Sequence, residues 1–193
     1  MKKYVVTGGA GFIGSHIVEY LLNVGHEVIV IDSLRTGFRK NLEGFGVVFL
    51  EQDIRNKDVL STILKDANCV FHLAALVSVP ESLLKLEECI AINTIGTLNI
   101  LEAARKAKNC KVILSSSAAN YGDNPVLPKI ESMAPKPMTP YAITKLDGEY
   151  YLKMYYEQYN LQTVSLRYFN VFGPRQNPKS AYAAAVPIFI NKA

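Results

Sequence analysis

The stretch VVTGGAGFIGSH, Val5 to His16, crowds Gly8, Gly9, Gly11 and Gly14 between a short β-branched run and a segment with helical spacing. Bare backbone N–H groups at a strand-to-helix turn, together with the helix N-terminus, form a cradle for an anion such as a pyrophosphate. Two registers fit: Gly9, Gly11 and Gly14 make G-x-G-x-x-G, while Gly8, Gly11 and Gly14 make G-x-x-G-x-x-G. Both demand a strand before and a helix after, so the chain is committed from its start to a βα unit.

The rest of the chain repeats that unit. Tyr4–Val6, Val28–Ile31, Val47–Leu50, Cys69–Leu73, Val112–Leu114 and Thr163–Leu166 are continuous apolar runs of the kind buried on both faces of a sheet. Between them Gly14–Asn23, Asp58–Lys65, Ser82–Lys106 and Tyr141–Tyr159 have helical length and spacing. Alternation of this sort predicts an α/β fold, a doubly wound parallel sheet with helices on both faces and a site along the edge where the strands end. With 193 residues, 49% hydrophobic and 20% charged, there is apolar material for one good core. The proline-rich passage Asp123–Pro140 reads as an ordered or semi-ordered loop, either a plain surface connection or part of a site.

Several classes are disfavoured. The net charge of +4 comes from lysines and arginines scattered in runs no longer than a pair, a solvated surface rather than a nucleic-acid footprint. Cys69, Cys89 and Cys110 are odd in number and lack C-x-x-C spacing, which argues against a disulfide framework or a metal site and for a reducing compartment. The apolar run after Met1-Lys2-Lys3 is too short for a signal peptide and no stretch reaches bilayer length, so the expectation is a cytoplasmic protein without membrane contact.

Three constellations carry chemistry. Asp32, at the end of the second strand, can accept both hydroxyls of an adenine ribose and repel a 2′-phosphate, favouring NAD over NADP; Arg35 and Arg39 nearby weaken that preference. In TPYAITK, Tyr141 and Lys145 share one helix face. A tyrosine with a reference pKa of about 10 needs help to act as a base, and an ammonium about 5 Å away at an effective dielectric near 20 supplies on the order of 3 kcal/mol. In VILSSSAANYG a strand runs into three serines, placing Ser117 to share a hydrogen bond with a substrate alcohol and Tyr141. No G-x-S-x-G elbow is present, and His72, inside an apolar strand, reads as a core residue.

With these motifs in view, the chain resembles the extended short-chain dehydrogenase/reductases, and within them the NAD-dependent sugar-nucleotide epimerases and dehydratases. The likeness runs through TGGAGFIGSH, Asp32, Asp53-Ile54, HLAALVSVPES, NTIGT, SSSAANYG, YAITK and RYFNVFGPRQNP, in the family's order. It implies a Rossmann-like fold and the register Gly8, Gly11, Gly14, with Phe12 and Ile13 beneath the pyrophosphate. Ser33, Leu34, Thr36 and Gly37 would follow Asp32 at the cofactor, Asp53 and Ile54 would line the adenine, and Leu73, Ala74 and Ala75 would run along it. Asn93, Ser115, Tyr141, Lys145 and Tyr168 complete the implied NAD site, and Tyr168 to Asn170 would close over nicotinamide and substrate.

Missing residues narrow the activity. Dehydrating members resemble STDEVYG at this strand end, and decarboxylating members carry a glutamate two residues before the Tyr-Gly; here Ala118 and Ala119 stand there. Serine, tyrosine, lysine and NAD suffice for reversible alcohol oxidation, which implies a C4 epimerase with Tyr141, Lys145 and Ser117 catalytic. The stretches LPKIESMAPKPMTPYAITK and RYFNVFGPRQNPKSAYAAAVP look most like the subgroup acting on UDP-N-acetylhexosamines, with UDP-glucose and UDP-galactose as the related pair. Ser78, Ser117, Tyr141, Asn170 and Ala184 would face the sugar. A 4-keto reductase, a dehydratase or a non-catalytic NAD sensor stands as the alternative. Residues 1–170 are expected to form the NAD-binding domain and 171–193 the start of a substrate-binding region most of which family chains carry further on, with a homodimer formed through the helices.

Overall fold

The inner apolar runs become strands covered on both faces, whereas the two outermost leave Val48, Val164 and Leu166 exposed. A computed structural model describes residues 1–107 and 109–177. In it β1 (Lys3–Thr7), β2 (Glu27–Asp32), β3 (Val48–Glu51), β4 (Cys69–His72), β5 (Lys111–Ser117) and β6 (Thr163–Tyr168) form a parallel sheet in the order β3-β2-β1-β4-β5-β6. Alternate side chains go to opposite faces. Val5, Ile29, Ile31, Val70, Val112 and Leu114 pack on α2 (Lys57–Leu64), α5 (Gly96–Lys106) and α6 (Pro140–Tyr159), through Leu60, Leu64, Ile100, Leu101, Leu152 and Tyr155. Val6, Val28 and Val30 pack on Val18 and Leu21 of α1 (Phe12–Asn23). This is the expected doubly wound sheet with helices on both faces.

Parallel pairing sends every strand's carboxyl end to one edge, and the order reverses between β1 and β4, where such folds bind ligands. Thr7, Asp32, His72, Ser117 and Tyr168 end their strands there. His72 is a core residue, as expected. Its Nδ1 meets Thr7 Oγ1 at 2.8 Å and its Nε2 meets Thr97 Oγ1 at 3.0 Å. Because Thr97 gives its own proton to the Asn93 carbonyl, its oxygen accepts from Nε2–H. Burial, with the Lys145 charge adding to it, pushes the imidazole down to about 3, so it stays neutral. Cys69, Cys89 and Cys110 are buried free thiols, and among the described residues no helix is long and apolar enough to cross a membrane.

Helix is also found where Ser82–Lys106 predicts it, but the segment is not continuous. It divides into α3 (Val79–Leu84), α4 (Leu86–Ile90), a π turn over Ala91–Ile95 and α5. Lys85, at φ −128° and ψ 56°, breaks the first junction. At the π turn a polar group is inserted into the packing, the setting in which such turns occur. Asn93 Oδ1 accepts from Leu76 N at 2.8 Å, and its Nδ2 donates to Leu76 O and Thr144 Oγ1, each at 3.0 Å. The amide thus ties the segment after β4 to α6.

The Asp123–Pro140 passage is an ordered loop. Lys136 N donates to Asn120 O at 2.8 Å, and Lys129 Nζ donates to Val126 O at 2.8 Å. Removing the Asn93 amide should be costly, because the buried Leu76 N–H and carbonyl lose their partner. Asn93→Ala is expected to destabilise the fold by about 1–3 kcal/mol, seen as a lower urea midpoint with an unchanged slope.

Candidate active site

The glycine turn is built around one carbonyl. Gly8, at φ +71°, lies so close to the segment after β4 that a Cβ there would stand 2.8 Å from Ala74 N. Gly8 O accepts from Gly11 N at 3.1 Å, and a Cβ on Gly14 would sit 2.2 Å from the same oxygen. Gly8, Gly11 and Gly14 therefore close around a shared atom, while Gly9 faces the Val30 side chain instead. No side chain caps α1, whose N-cap is Gly11, and the first helical amides have no partner within the helix. Gly11, Phe12, Ile13 and Gly14 line a cleft of about 1400 Å³ along the strand ends. A cradle with no room for Cβ atoms and with uncapped amides fits a pyrophosphate.

At one end of the cleft lies the buried Asp32 carboxylate. Its Oδ2 accepts from Ala10 N at 2.9 Å and its Oδ1 from Leu34 N at 2.8 Å. Burial raises its pKa, and the two amides pull it back. Ser33, Leu34, Thr36 and Gly37 line the cleft beside it, and Gly37 is close enough that a Cβ would lie 3.0 Å from Asp32 Oδ2. Asp53 and Ile54 line the same end, with Asp53 held by Arg55 Nη2 at 2.6 Å and its carboxyl kept below the usual range by that guanidinium. Leu73, Ala74 and Ala75 form the middle of the wall.

The other end is assembled from β5, β6 and α6. The Thr139 hydroxyl caps α6, accepting from Ala142 N at 3.2 Å, and Pro140 occupies the first turn, so Tyr141 and Lys145 project from one face at the helix start. Lys145 is 5% exposed, donates to Ser115 O at 2.8 Å and lies 5.9 Å from the Tyr141 ring centre. Burial pushes its ammonium down to about 8. Burial also raises the Tyr141 phenol, and the Ser117 hydroxyl pulls it back by hydrogen bonding. The phenol is raised on balance, contrary to the help expected from Lys145, whose ammonium is turned towards the Ser115 carbonyl. Ser117 Oγ accepts from Ala119 N at 3.1 Å, which leaves its proton free to be donated. Ser115, Tyr168 and Asn170 line this end as well.

Behind Ser117 stands a polar network with little warning in the sequence. Ser116 shares a face with Val112 and Leu114 and donates to Glu149 Oε1 of α6 at 2.5 Å. Asn120 Nδ2 donates to the same oxygen at 2.8 Å and to Ser116 Oγ at 3.1 Å. Arg167 of β6 pairs with Glu149 through Nη2 at 2.7 Å and Nε at 2.9 Å and lies over the Tyr121 ring. Burial alone would raise the Glu149 carboxyl; Arg167, Ser116 and Asn120 together bring it below the ordinary value. Asn120 therefore stands opposite a buried carboxylate, which an apolar side chain could not satisfy.

Asn93 and Ser78 are not among the residues that line the cleft, and a third expected residue falls outside the described residues. Asn93 does not line the cleft, since its amide is spent between Leu76 and α6. The Ser78 side chain caps α3, accepting from Glu81 N at 3.1 Å, and its neighbours Val77 and Val79 reach the cleft instead. Ala184 falls outside the described residues. Conversely, Arg175 lines the cleft without being foreseen: it donates to His16 Nδ1 at 2.5 Å and pairs with Glu19, so the segment after β6 is tied to α1. A single arginine in a loop carries no periodic signal by which to find it.

Comparison with known proteins bears on this geometry. The profile of the NAD dependent epimerase/dehydratase family matches residues 4–193. A protein of Methanocaldococcus jannaschii described as a putative UDP-glucose 4-epimerase is 42% identical over 190 residues, 97% of this chain and 62% of that one. Among solved structures, a UDP-N-acetylglucosamine 4-epimerase from Methanobrevibacter ruminantium, in complex with UDP-N-acetylmuramic acid, superposes with a TM-score of 0.94 at 46% identity, covering 98% of this chain and 62% of that one. A Thermus thermophilus UDP-glucose 4-epimerase in complex with NAD gives 0.87 at 42% identity over 93% of this chain and 59% of that one. The chain belongs to the NAD dependent epimerase/dehydratase family, and NAD is the cofactor expected from the glycine turn and Asp32. It spans about three-fifths of the length of these relatives.

The Lys145 environment has a measurable consequence. Its folded pKa, about 8, lies below the ordinary 10.5, so the unfolded chain holds the proton more tightly and stability rises with pH between those values. Lys145→Met, which removes the buried charge and one hydrogen bond, is expected to stabilise the fold by about 1–3 kcal/mol near pH 7. The gain should fade as pH climbs from 8 towards 10.5, measurable by urea unfolding across that range.

Proposed function

We propose that this chain carries the NAD-binding and catalytic part of a UDP-sugar 4-epimerase, with residues 1–170 as the NAD domain and 171–193 opening the sugar-binding part. The proposed substrates are UDP-N-acetylglucosamine and its C4 epimer, with the UDP-glucose pair accessible to the same chemistry. The observation that carries the reading is Ser117 beside Tyr141, with Lys145 one turn on and alanines at 118 and 119. The carboxylates that line the cleft, Asp32 and Asp53, belong to its other end. Asp32 ends β2, three strand positions and thus about 14 Å from β5. Among the described residues no carboxylate lines the cleft at the Tyr141 end to protonate a leaving hydroxyl, which suits the site to moving an alcohol proton.

In this reading Tyr141 takes the proton of the sugar 4-hydroxyl as C4 becomes a carbonyl. Ser117, its oxygen fixed by Ala119 N–H, donates a hydrogen bond to the phenolate or to the 4-oxygen and so orients that transfer. NAD, when bound, supplies the reversible two-electron acceptor for the C4 hydride. A phenol raised by burial favours its protonated form, and in the second half of the cycle it returns that proton to the 4-oxygen on the inverted carbon. Nothing is consumed. Ser78, Asn170 and Ala184 are proposed to face the sugar with Ser117 and Tyr141. The pyrophosphate is assigned to Gly8, Gly11, Phe12, Ile13 and Gly14, and the adenosine to Asp32 and the residues around it. Exposed Leu83, Leu84, Leu86 and Ile90 on α3 and α4, beside Ile143 and Tyr150 on α6, supply the apolar surface for the proposed homodimer.

The names of the relatives support the 4-epimerase reading, and the solved UDP-N-acetylglucosamine 4-epimerase supports the choice of sugar. An internal redox cycle should return deuterium placed at C4 of UDP-N-acetylglucosamine to C4 of UDP-N-acetylgalactosamine. Wash-out to solvent, or a need for stoichiometric added NAD⁺, would show a different reaction. Conversion of UDP-glucose with rejection of UDP-N-acetylglucosamine would reassign the sugar alone. Tyr141→Phe should lower turnover about 10²- to 10⁴-fold, the usual worth of acid–base catalysis, while NAD stays bound.

A further inference from the structure

Arg35 stands in the loop whose Leu34 amide holds the Asp32 carboxylate, and it lines the cleft. In dinucleotide folds an arginine near the end of the second strand is the group that accommodates a 2′-phosphate on the adenine ribose. An available Arg35 would therefore act against Asp32, attracting the phosphate that the carboxylate repels.

Its guanidinium is engaged elsewhere. Nη1 donates to Glu88 Oε1, and Nη2 donates to Glu88 Oε2 at 3.2 Å and to Glu81 Oε1 at 2.7 Å. The two acids come from α4 and α3, so the side chain reaches from the β2 loop to the helices that follow β4. Lys85 joins the cluster, donating to Glu81 Oε1 at 3.1 Å and standing 3.8 Å from Glu88 Oε2. A lone exposed ion pair holds little, but a fork-to-fork contact to one carboxylate and a second contact to another fix the guanidinium's direction. The side chains of Arg35, Glu81 and Glu88 are 29%, 31% and 32% exposed, so the cluster lies at the solvent-facing rim of the cleft. Other cations near this end are engaged too: Arg55 with Asp53, and Arg39 over the Phe49 ring at 4.7 Å.

We propose that Glu81 and Glu88 are specificity residues: by holding Arg35 against α3 and α4 they withhold a guanidinium placed to accept a 2′-phosphate, and with Asp32 they set the preference for NAD over NADP. This role concerns the cofactor and is independent of which sugar is epimerised. The bonds need no rearrangement on NAD binding, since the adenine ribose of NAD offers only hydroxyls.

The test is calorimetric titration of the full chain with NAD⁺ and NADP⁺, on the unaltered protein, on Glu81→Gln with Glu88→Gln, and on that pair combined with Arg35→Ala. Releasing Arg35 should tighten NADP⁺ binding about ten- to hundredfold, the worth of a charge-assisted hydrogen bond, with NAD⁺ nearly unchanged. Adding Arg35→Ala should abolish the gain. Three results would overturn the proposal: unchanged NADP⁺ affinity in the double variant, a gain that survives Arg35→Ala, or parallel weakening of both cofactors. The second would mean that the loss of negative charge acts in general, and the third that the cluster serves only to hold the loop.

Discussion

With its two oxygens held by the Ala10 and Leu34 amides, the Asp32 carboxylate joins the end of β2 to the glycine turn on one side and to the following loop on the other. The rest of the cleft depends on that junction. Ala10 lies inside the turn, so the carboxylate helps hold the glycines in their closed form, where Gly8 abuts Ala74 and Gly14 abuts Gly8. Leu34, at φ +57°, is bent into the left-handed region as its amide serves the same carboxylate, and the bend carries Arg35 towards α3 and α4. A charge buried this deeply is tolerated because it is hydrogen-bonded on both oxygens. It also leaves lone pairs for ribose hydroxyls, as a carboxylate accepts more than two bonds.

At the other end of the cleft, strand alternation separates two roles within three consecutive serines. Ser116 points towards α6 and joins Glu149, Asn120 and Arg167, whereas Ser117 faces the cleft with Tyr141. The buried network fixes β5, β6 and α6 relative to one another, and those are the elements that deliver Ser117, Tyr168 and Tyr141. Charge-assisted hydrogen bonds in a low-dielectric interior hold their geometry tightly, and here they do so although Asn120 Oδ1 and Arg167 Nη1 have no hydrogen-bond partner. The same desolvation raises the phenol and lowers the ammonium, so the proton transfer proposed for Tyr141 would depend on Ser117 and on the charge of whatever occupies the cleft.

Periodicity makes the fold legible in the sequence: continuous apolar runs separated by helical stretches have one economical solution, a parallel sheet with helices on both faces. Where periodicity was interrupted by a side-chain contact, it misled. Ser82–Lys106 reads as one helix because its apolar spacing persists through Lys85 and Asn93; the break and the π turn come from what those residues meet, Leu76 and Thr144 among them. Asn93 illustrates the same limit at the site, for a polar residue in a recognisable motif was expected at the cofactor and is instead consumed within the fold.

Local chemistry determined what could be read from the chain alone: glycines where a Cβ has no room, an acid at a strand end, and a tyrosine and lysine one helical turn apart. Each is a short-range pattern whose meaning survives without knowing its neighbours. Only the tertiary structure decided the rest, because the partners are far apart in sequence. Arg35 meets Glu81 and Glu88, Asn120 meets Glu149, and Arg175 meets Glu19 across long loops, and the desolvation that raises Tyr141 and lowers Lys145 exists only once the sheet and α6 have closed around them. Charge pairing and burial depend on distance in space, which the order of residues along the chain does not encode directly.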